Sequence, residues 1–94
     1  MDNLPAIDLL ESTHTFPGTY TFKVIGLAER GFVARTIAAV REELAGQTDP
    51  PYRVRETPNG RHVAVTVEPE VQDAHQVLAV YRRLRVMAGL VILW

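Results

Sequence analysis

Cysteine is absent from these 94 residues, which excludes disulfide bonds, thiolate nucleophiles and Cys-ligated metal centres. Serine occurs once, at Ser12, outside any pattern that would give it a positioned base. The three histidines, at positions 14, 62 and 75, do not have the spacing of metal ligands. We therefore expect no catalytic residues, no metal and no cofactor, and we predict that the protein is not an enzyme.

A strong net charge and long apolar runs are also missing. Ten basic and eleven acidic side chains give a formal net charge of -1, which excludes a polycation built for nucleic acid. The longest apolar run, residues 89–94, is far shorter than the roughly 20 residues of a membrane-spanning helix. The first residues carry neither the basic nor the apolar region of a signal peptide. We expect a cytoplasmic protein that makes no contact with membranes.

The sequence does contain a regular succession of strand and helix patterns. Gly26 is expected to end the first strand and Gly46 to close the first helix, while Asp73 is a candidate N-cap for the second helix. The predicted order is β-α-β-β-α-β, with strands at residues 20–25, 52–57, 62–67 and 90–94 and helices at residues 32–45 and 74–85.

The second and third predicted strands form a hairpin. Asn59-Gly60 predicts a two-residue turn in which both residues take positive φ. That turn sets Val54 opposite Val65 and leaves Arg55 on the other face of the hairpin. A slip by one residue would mix apolar and basic side chains on each face, so the pattern predicts a single register.

This order of elements favours an α+β, ferredoxin-like split βαβ fold. Its four-stranded antiparallel sheet has the strand order 4-1-3-2, with two helices on one face. Residues 1–18, which contain two prolines and few apolar anchors, are predicted to form a partly disordered N-terminal arm. Residues 19–94 are predicted to form a single domain.

The sheet face that no helix covers carries the strongest functional signal. It is predicted to show Thr19, Thr21 and Thr66 beside a basic sheet face made of Lys23, Arg53, Arg55 and His62. Such a surface suits a small anionic metabolite or an acidic partner protein. RNA-recognition modules of this topology stack bases on exposed aromatics, whereas Tyr20 and Phe22 are predicted to point into the core, so nucleic acid is the less favoured ligand. A solvated polar face without a ligand is the other interpretation.

The last strand, Leu90 to Trp94, is apolar on both faces and lies at a sheet edge in this topology. Uncharged strand edges invite pairing with another chain. We expect either a homodimer formed through this strand or its neighbouring helix, or cover from the N-terminal arm through Leu9 and Leu10.

Several segments have the residues and the spacing of a known family. They are Phe16-Pro-Gly-Thr-Tyr-Thr-Phe-Lys-Val-Ile-Gly26, Gly60-Arg-His-Val-Ala-Val-Thr66, Gln76-Val77 and Tyr81-Arg-Arg-Leu84. Over residues 16–94 the chain resembles the YbeD-like family of small bacterial proteins of unknown function. The resemblance implies a ferredoxin-like fold akin to the ACT regulatory domains that sense amino acids, and the names of relatives imply a lipoate-related regulatory role.

The loop after the first strand is similar to the ligand loop of ACT domains, with Arg30 where a proline is usual. This resemblance implies a ligand-binding site at Gly26, Arg30 and Gly31. A phosphate-binding P-loop is not predicted, because the Lys-Ser or Lys-Thr pair of that motif is missing here. The sequence favours a non-catalytic regulatory or sensing module that binds a small metabolite or a partner protein. The alternative is a pure protein-protein interaction module without a small ligand.

Overall fold

Residues 4–94, which the computed structural model describes, form an α+β fold with three helices and a four-stranded antiparallel sheet. In chain order the elements are α1 (Ile7–Thr13), β1 (Gly18–Thr19), β2 (Phe22–Leu27), α2 (Phe32–Glu43), β3 (Tyr52–Glu56), β4 (His62–Val67), β5 (Glu70–Val71), α3 (Ala74–Leu84) and β6 (Leu90–Leu93). The sheet has the order β3-β4-β2-β6, which is the order predicted for the four strands, and a second, two-stranded sheet pairs β1 with β5. The prediction of two helices is wrong, because α1 adds a third.

Helix α1 replaces much of the irregular arm predicted for residues 1–18. It spans only 7 residues, a length at which an isolated helix is marginal in water, so tertiary packing must stabilise it. Leu10 provides this packing at 2% exposure, and α1 lies against α3. Leu9 stays 55% exposed, so the arm packs on a helix and does not cover the last strand as one alternative predicted. The first three residues of the predicted arm lie outside the described residues.

Alternation along β2 and β4 places one row of apolar side chains on the helix side of the sheet. Phe22, Val24, Val63, Val65 and Val67 are each at most 4% exposed, in agreement with the faces predicted from the sequence. Helix α2 packs on β4 and against α3 above this row. Burying one such side chain stabilises a fold by about 1.5–3 kcal/mol. This row therefore determines which sheet face lies under the helices and which stays open.

The hairpin of β3 and β4 has the predicted register. Val54 lies opposite Val65, and Arg55 lies opposite Ala64. The open face of the sheet therefore receives the arginines of β3, as the alternation predicts.

The turn of this hairpin differs from the prediction. The Gly60 N–H donates to the Thr57 carbonyl at 2.9 Å, and the Thr57 N–H donates to the His62 carbonyl at 3.0 Å. Gly60 has φ +70°, but Asn59 is not in the left-handed region. Pro58 explains the difference, because its ring holds φ near about −65°, as the second residue of a type I turn requires. The longer loop is centred on the same residues, so the register is unchanged.

Strand β2 does not end at Gly26 as predicted. It continues to Leu27, and Gly26 pairs with Val63 on one side and Leu90 on the other. A Cβ at Gly26 would lie 2.1 Å from Cζ of Phe32. Glycine is therefore required here by the ring packed over the strand, and it does not act as a strand terminator.

The two longer helices differ in how well their ends were predicted. Helix α2 closes through Ala45, which has φ +54°, and the Gly46 N–H donates to the Arg41 carbonyl at 2.9 Å. The left-handed residue is thus the alanine and not the predicted Gly46. Helix α3 begins at the predicted cap, since the Asp73 carboxylate accepts a hydrogen bond from the Gln76 N–H at 3.0 Å.

Candidate functional site

The sheet register gathers three of the predicted basic residues on the face opposite the helices. Lys23 on β2 and Arg53 on β3 both lie opposite Thr66 of β4. Arg55 lies opposite Ala64, one step further along the hairpin. Since neighbouring strands are about 4.8 Å apart, the cations of β2 and β3 flank the β4 backbone on both sides.

These side chains border a shallow groove of about 490 Å³. Its lining combines basic, apolar and aromatic side chains from β2, β3, β4 and the residue after β6, among them Lys23, Ile25, Arg53, Arg55, Thr66 and Trp94. The groove therefore offers both charge and apolar surface to a ligand.

Trp94 is the aromatic side chain of this groove, and it is not among the site residues predicted from the sequence. The Lys23 N–H donates to the Trp94 carbonyl at 2.7 Å, and the Trp94 N–H donates to the Lys23 carbonyl at 2.8 Å. Residues paired in this way share a sheet face, so the Trp94 side chain, 50% exposed, lines the groove on the same face as Lys23. The pairing between β2 and β6 shifts register between Ile25 and Gly26 of β2. The alternation of side chains within each strand does not reveal such a shift.

The groove carries an excess of positive charge. Nη1 of Arg53 lies 3.0 Å from Oε1 of Glu68, and the Thr21 hydroxyl donates to the same carboxylate at 3.4 Å. Within residues 4–94, neither Lys23 nor Arg55 forms an ion pair. Of the three cations only Arg53 is paired with a carboxylate of the described residues, and the resulting positive field attracts anions.

His62, the fourth residue of the predicted basic sheet face, lies apart from the groove. It starts β4 opposite Leu27 and is half-buried. Its N–H donates to the Thr57 hydroxyl at 3.2 Å, and its carbonyl accepts from the Thr57 N–H at 3.0 Å. The predicted Thr19 is also elsewhere, because it pairs with Glu70 in the small second sheet. The groove therefore contains Lys23, Arg53 and Arg55 of the predicted set.

A family model described as "Protein of unknown function (DUF493)" matches residues 11–93, from the middle of α1 to the end of β6. The chain belongs to the DUF493 family. This confirms the resemblance to YbeD-like proteins that the sequence segments indicate. A comparison with curated proteins found no match. The description of the DUF493 family names no activity and no ligand.

The loop implied as an ACT-like ligand site has a different character in this DUF493 chain. Gly26 is buried in β2 beneath the Phe32 ring. Arg30 is exposed, and Gly31 is the N-cap of α2 with φ +83°. Two of the three residues, Arg30 and Gly31, are thus accessible, while Gly26 has a packing role.

Arg35 holds this loop against the segment before β6. Its Nη2 lies 3.0 Å from Oε1 of Glu29, and its Nη1 donates to the Ala88 carbonyl at 3.2 Å. The guanidinium also lies 5.7 Å from the centre of the Phe32 ring. These contacts hold the loop in place at the N-terminus of α2, next to the segment that precedes β6.

Two tyrosine hydroxyls form the buried polar pair of the core. Tyr20 and Tyr81 are 8% and 6% exposed, and their hydroxyl oxygens are 3.0 Å apart. Burial raises the pKa of Tyr81 well above its usual value, and the hydrogen bond with Tyr20 raises it further. Tyr81 is therefore neutral at physiological pH, and the pair contributes to the stability of the core.

The Ser12 hydroxyl donates to the Leu9 carbonyl at 3.0 Å within α1. In residues 4–94, no group of three or more His, Asp or Glu side chains lies close enough together to hold a metal ion. Over the same residues, none of the helices has the length and apolarity of a membrane span. The groove of the open sheet face is therefore the best candidate site.

Proposed function

We propose that this DUF493 protein is a non-catalytic regulatory or sensing module that binds an anionic ligand in the groove of its open sheet face. The ligand is a small metabolite or an acidic segment of a partner protein. One observation carries the proposal: within the described residues Lys23 and Arg55 have no ion-pair partner, and they border the same groove as the exposed Trp94 ring. Unpaired cations attract an anion, and the ring offers it apolar contact.

The fold supports the same proposal. The strand order and the helices on the opposite face agree with a ferredoxin-like split βαβ, the fold of ACT regulatory domains. We favour the groove over the loop at residues 26–31 as the ligand site for two reasons. Gly26 is buried, and the nearby Arg35 guanidinium is already ion-paired with Glu29 of the loop. The cytoplasmic location expected from the sequence stays a prediction.

Trp94 makes the proposal directly testable. It is the only tryptophan of the chain, so fluorescence excited at the red edge of the absorption band, where the three tyrosines do not absorb, reports on Trp94 in the groove. The protein is titrated with inorganic phosphate, dicarboxylates, amino acids and lipoate. We expect a saturable change with at least one anion, and weaker binding at higher ionic strength. Amide NMR in the same titration shows whether residues of the groove or residues 26–35 respond.

Matched charge reversals separate the groove from the general charge of the protein. Arg55→Glu should weaken anion binding by about tenfold or more, because it replaces an attraction by a repulsion. Arg82→Glu makes the same charge change at an exposed position on α3 and should leave the affinity unchanged. Equal losses in both variants, or no response to any anion, would contradict the proposal.

We also propose that the protein forms a homodimer through β6. Val91 and Ile92 are 50% and 49% exposed at this sheet edge, and an apolar edge strand of this kind invites pairing with a second copy. Light scattering after size exclusion should give a dimer for the wild type and a monomer for Val91→Lys. Val86→Lys, at a 78% exposed position after α3, is the control and should remain dimeric. A monomeric wild type would refute this part of the proposal.

A further inference from the structure

The outer edge of β3 is unpaired within the described residues. β3 is the outermost strand of the sheet and pairs with β4 alone. All five of its residues are exposed, and α2 packs on β4 instead of covering it. This makes the edge accessible along its whole length.

Backbone hydrogen bonds at both ends of β3 define which groups point outward. The Glu68 N–H donates to the Pro51 carbonyl at 2.9 Å, and the Thr57 N–H donates to the His62 carbonyl at 3.0 Å. In an antiparallel ladder alternate residues bond to the same neighbour. The backbone groups of residues 53 and 55 therefore bond to β4, and those of residues 52, 54 and 56 point away from the sheet.

The two faces of this edge have different chemistry. Arg53 and Arg55 project to the open face, where Arg55 has no ion pair within residues 4–94. Tyr52 and Val54 project to the other face and are 47% and 43% exposed. A segment laid along the edge would thus meet two cations on one side and two apolar side chains on the other.

We propose that the β3 edge binds an extended acidic segment of a partner protein as an additional antiparallel strand. The proposal rests on the proposed function, since Arg53 and Arg55 belong to the groove as well. Acidic residues two positions apart in the segment lie opposite these arginines. Those positions are non-hydrogen-bonded pairs, in which the Cα atoms are only about 4.5 Å apart and side chains interact most closely. The residue between them is apolar and covers Val54.

A second copy of this chain does not fit the same edge. In an antiparallel β3–β3 pair related by a two-fold axis, the open faces of both copies lie on the same side. The registers that overlap most of β3 then set an arginine of one copy opposite an arginine of the other. Like charges directly opposite each other are destabilising. Pro51 and Pro58 also flank β3 and limit the added strand to a short segment.

Amide hydrogen exchange tests the proposal residue by residue. The probe is a short peptide in which glutamate alternates with valine, and the control peptide has lysine in place of glutamate. With the glutamate peptide, exchange at Tyr52, Val54 and Glu56 should slow by about tenfold or more. The amides of Arg53 and Arg55, already bonded to β4, should be protected with and without peptide. The lysine peptide should change nothing.

Two further changes separate strand addition from simple charge attraction. N-methylation of the peptide residue that pairs with Val54 removes a donor without altering the protein, and it should abolish the protection. Arg55→Glu should weaken binding of the glutamate peptide by about tenfold, while Arg82→Glu should not.

The outcomes distinguish this inference from the proposed function. Binding of the glutamate peptide or of small anions at the groove, without protection at residues 52, 54 and 56, would overturn strand addition and leave the anion site standing. Absence of any response, by Trp94 fluorescence or by exchange, would overturn both. Protection that survives N-methylation would also refute backbone pairing.

Discussion

Replacing Gly26 by alanine should destabilise the protein strongly, because the Phe32 ring fills the space that the new methyl group needs. Gly26 lies in the central strand β2 and is paired on both sides, to Val63 and to Leu90. Phe32 is fully buried at the start of α2. Neither the strand nor the ring can therefore move without disturbing packed neighbours.

The size of the effect follows from the contact distances. The methyl carbon would lie 2.1 Å from Cζ of Phe32 and 2.4 Å from both Cε atoms. Carbon atoms in favourable contact are about 3.5–4.0 Å apart, so the ring would have to retreat by more than about 1 Å. Overpacking a well-filled core costs about 1–3 kcal/mol, and we expect the upper end, near 3 kcal/mol. For a domain of this size that lowers the melting temperature by more than about 10 °C.

Thermal and urea unfolding, followed by circular dichroism, measure this cost. Gly46→Ala is the matched control, because a Cβ there meets no atom closer than 3.5 Å, and it should change the free energy of unfolding by less than about 0.5 kcal/mol. In a Phe32→Leu background, Gly26→Ala should cost less, since the colliding ring atoms are gone. A wild-type melting temperature for Gly26→Ala, or the same cost in both backgrounds, would refute the ring as the cause.

Three further predictions concern helix ends and the buried tyrosines. Ala45→Gly should raise the free energy of unfolding by about 0.5–1 kcal/mol, because glycine adopts the positive φ of this position without strain. Asp73→Ala should lower it by about 1 kcal/mol through loss of the cap to the Gln76 N–H, and chemical denaturation measures both changes. Because the pKa of Tyr81 is raised in the folded state, the unfolded chain loses this proton first as the pH passes about 10. The stability that neutral Tyr81 contributes is therefore full below about pH 10 and is lost progressively above it. Above that pH, melting temperatures should fall more steeply for the wild type than for Tyr81→Phe.

Each of these predictions has a contrary outcome. A destabilised Ala45→Gly would show that flexibility of the unfolded chain outweighs the strain at this position. An Asp73→Ala variant as stable as the wild type would mean that solvent replaces the cap. Parallel pH profiles for the wild type and Tyr81→Phe would contradict the raised pKa of Tyr81.

Tyr81→Phe should itself lower the free energy of unfolding by about 1–3 kcal/mol at neutral pH, because it leaves the buried Tyr20 hydroxyl without its partner.

Local patterns were sufficient to predict much of the fold. The alternation around Val54 and Val65 predicts the hairpin register, and Asp73 predicts the start of α3. The errors arose where a tertiary contact decides the local structure. Leu10 stabilises a helix too short to predict from its own sequence, and the Phe32 ring, not chain reversal, explains Gly26.

The candidate site was predicted in part for the same reason. Lys23, Arg53 and Arg55 share a face by simple alternation within strands that were predicted correctly. Trp94 joins them only through the pairing of β6 with β2, whose register depends on a bulge between distant parts of the chain. Glu68 meets Arg53 across the hairpin, a contact between strands that no pattern within one strand predicts. Contacts between strands thus supplied what patterns within strands did not.

The position of β2 between β4 and β6 has a consequence for how the chain folds. Val24 pairs with Val65 on one side and with Leu93 on the other, and both partners lie far along the chain. The hairpin of β3 and β4 closes a short loop, whereas each neighbour of β2 closes a long one at a greater entropic cost. Half of the sheet can therefore assemble early, and the strand at its centre joins late. Truncating Val24 should then accelerate unfolding more than it slows refolding, and the opposite division in stopped-flow kinetics would place β2 in the folding nucleus.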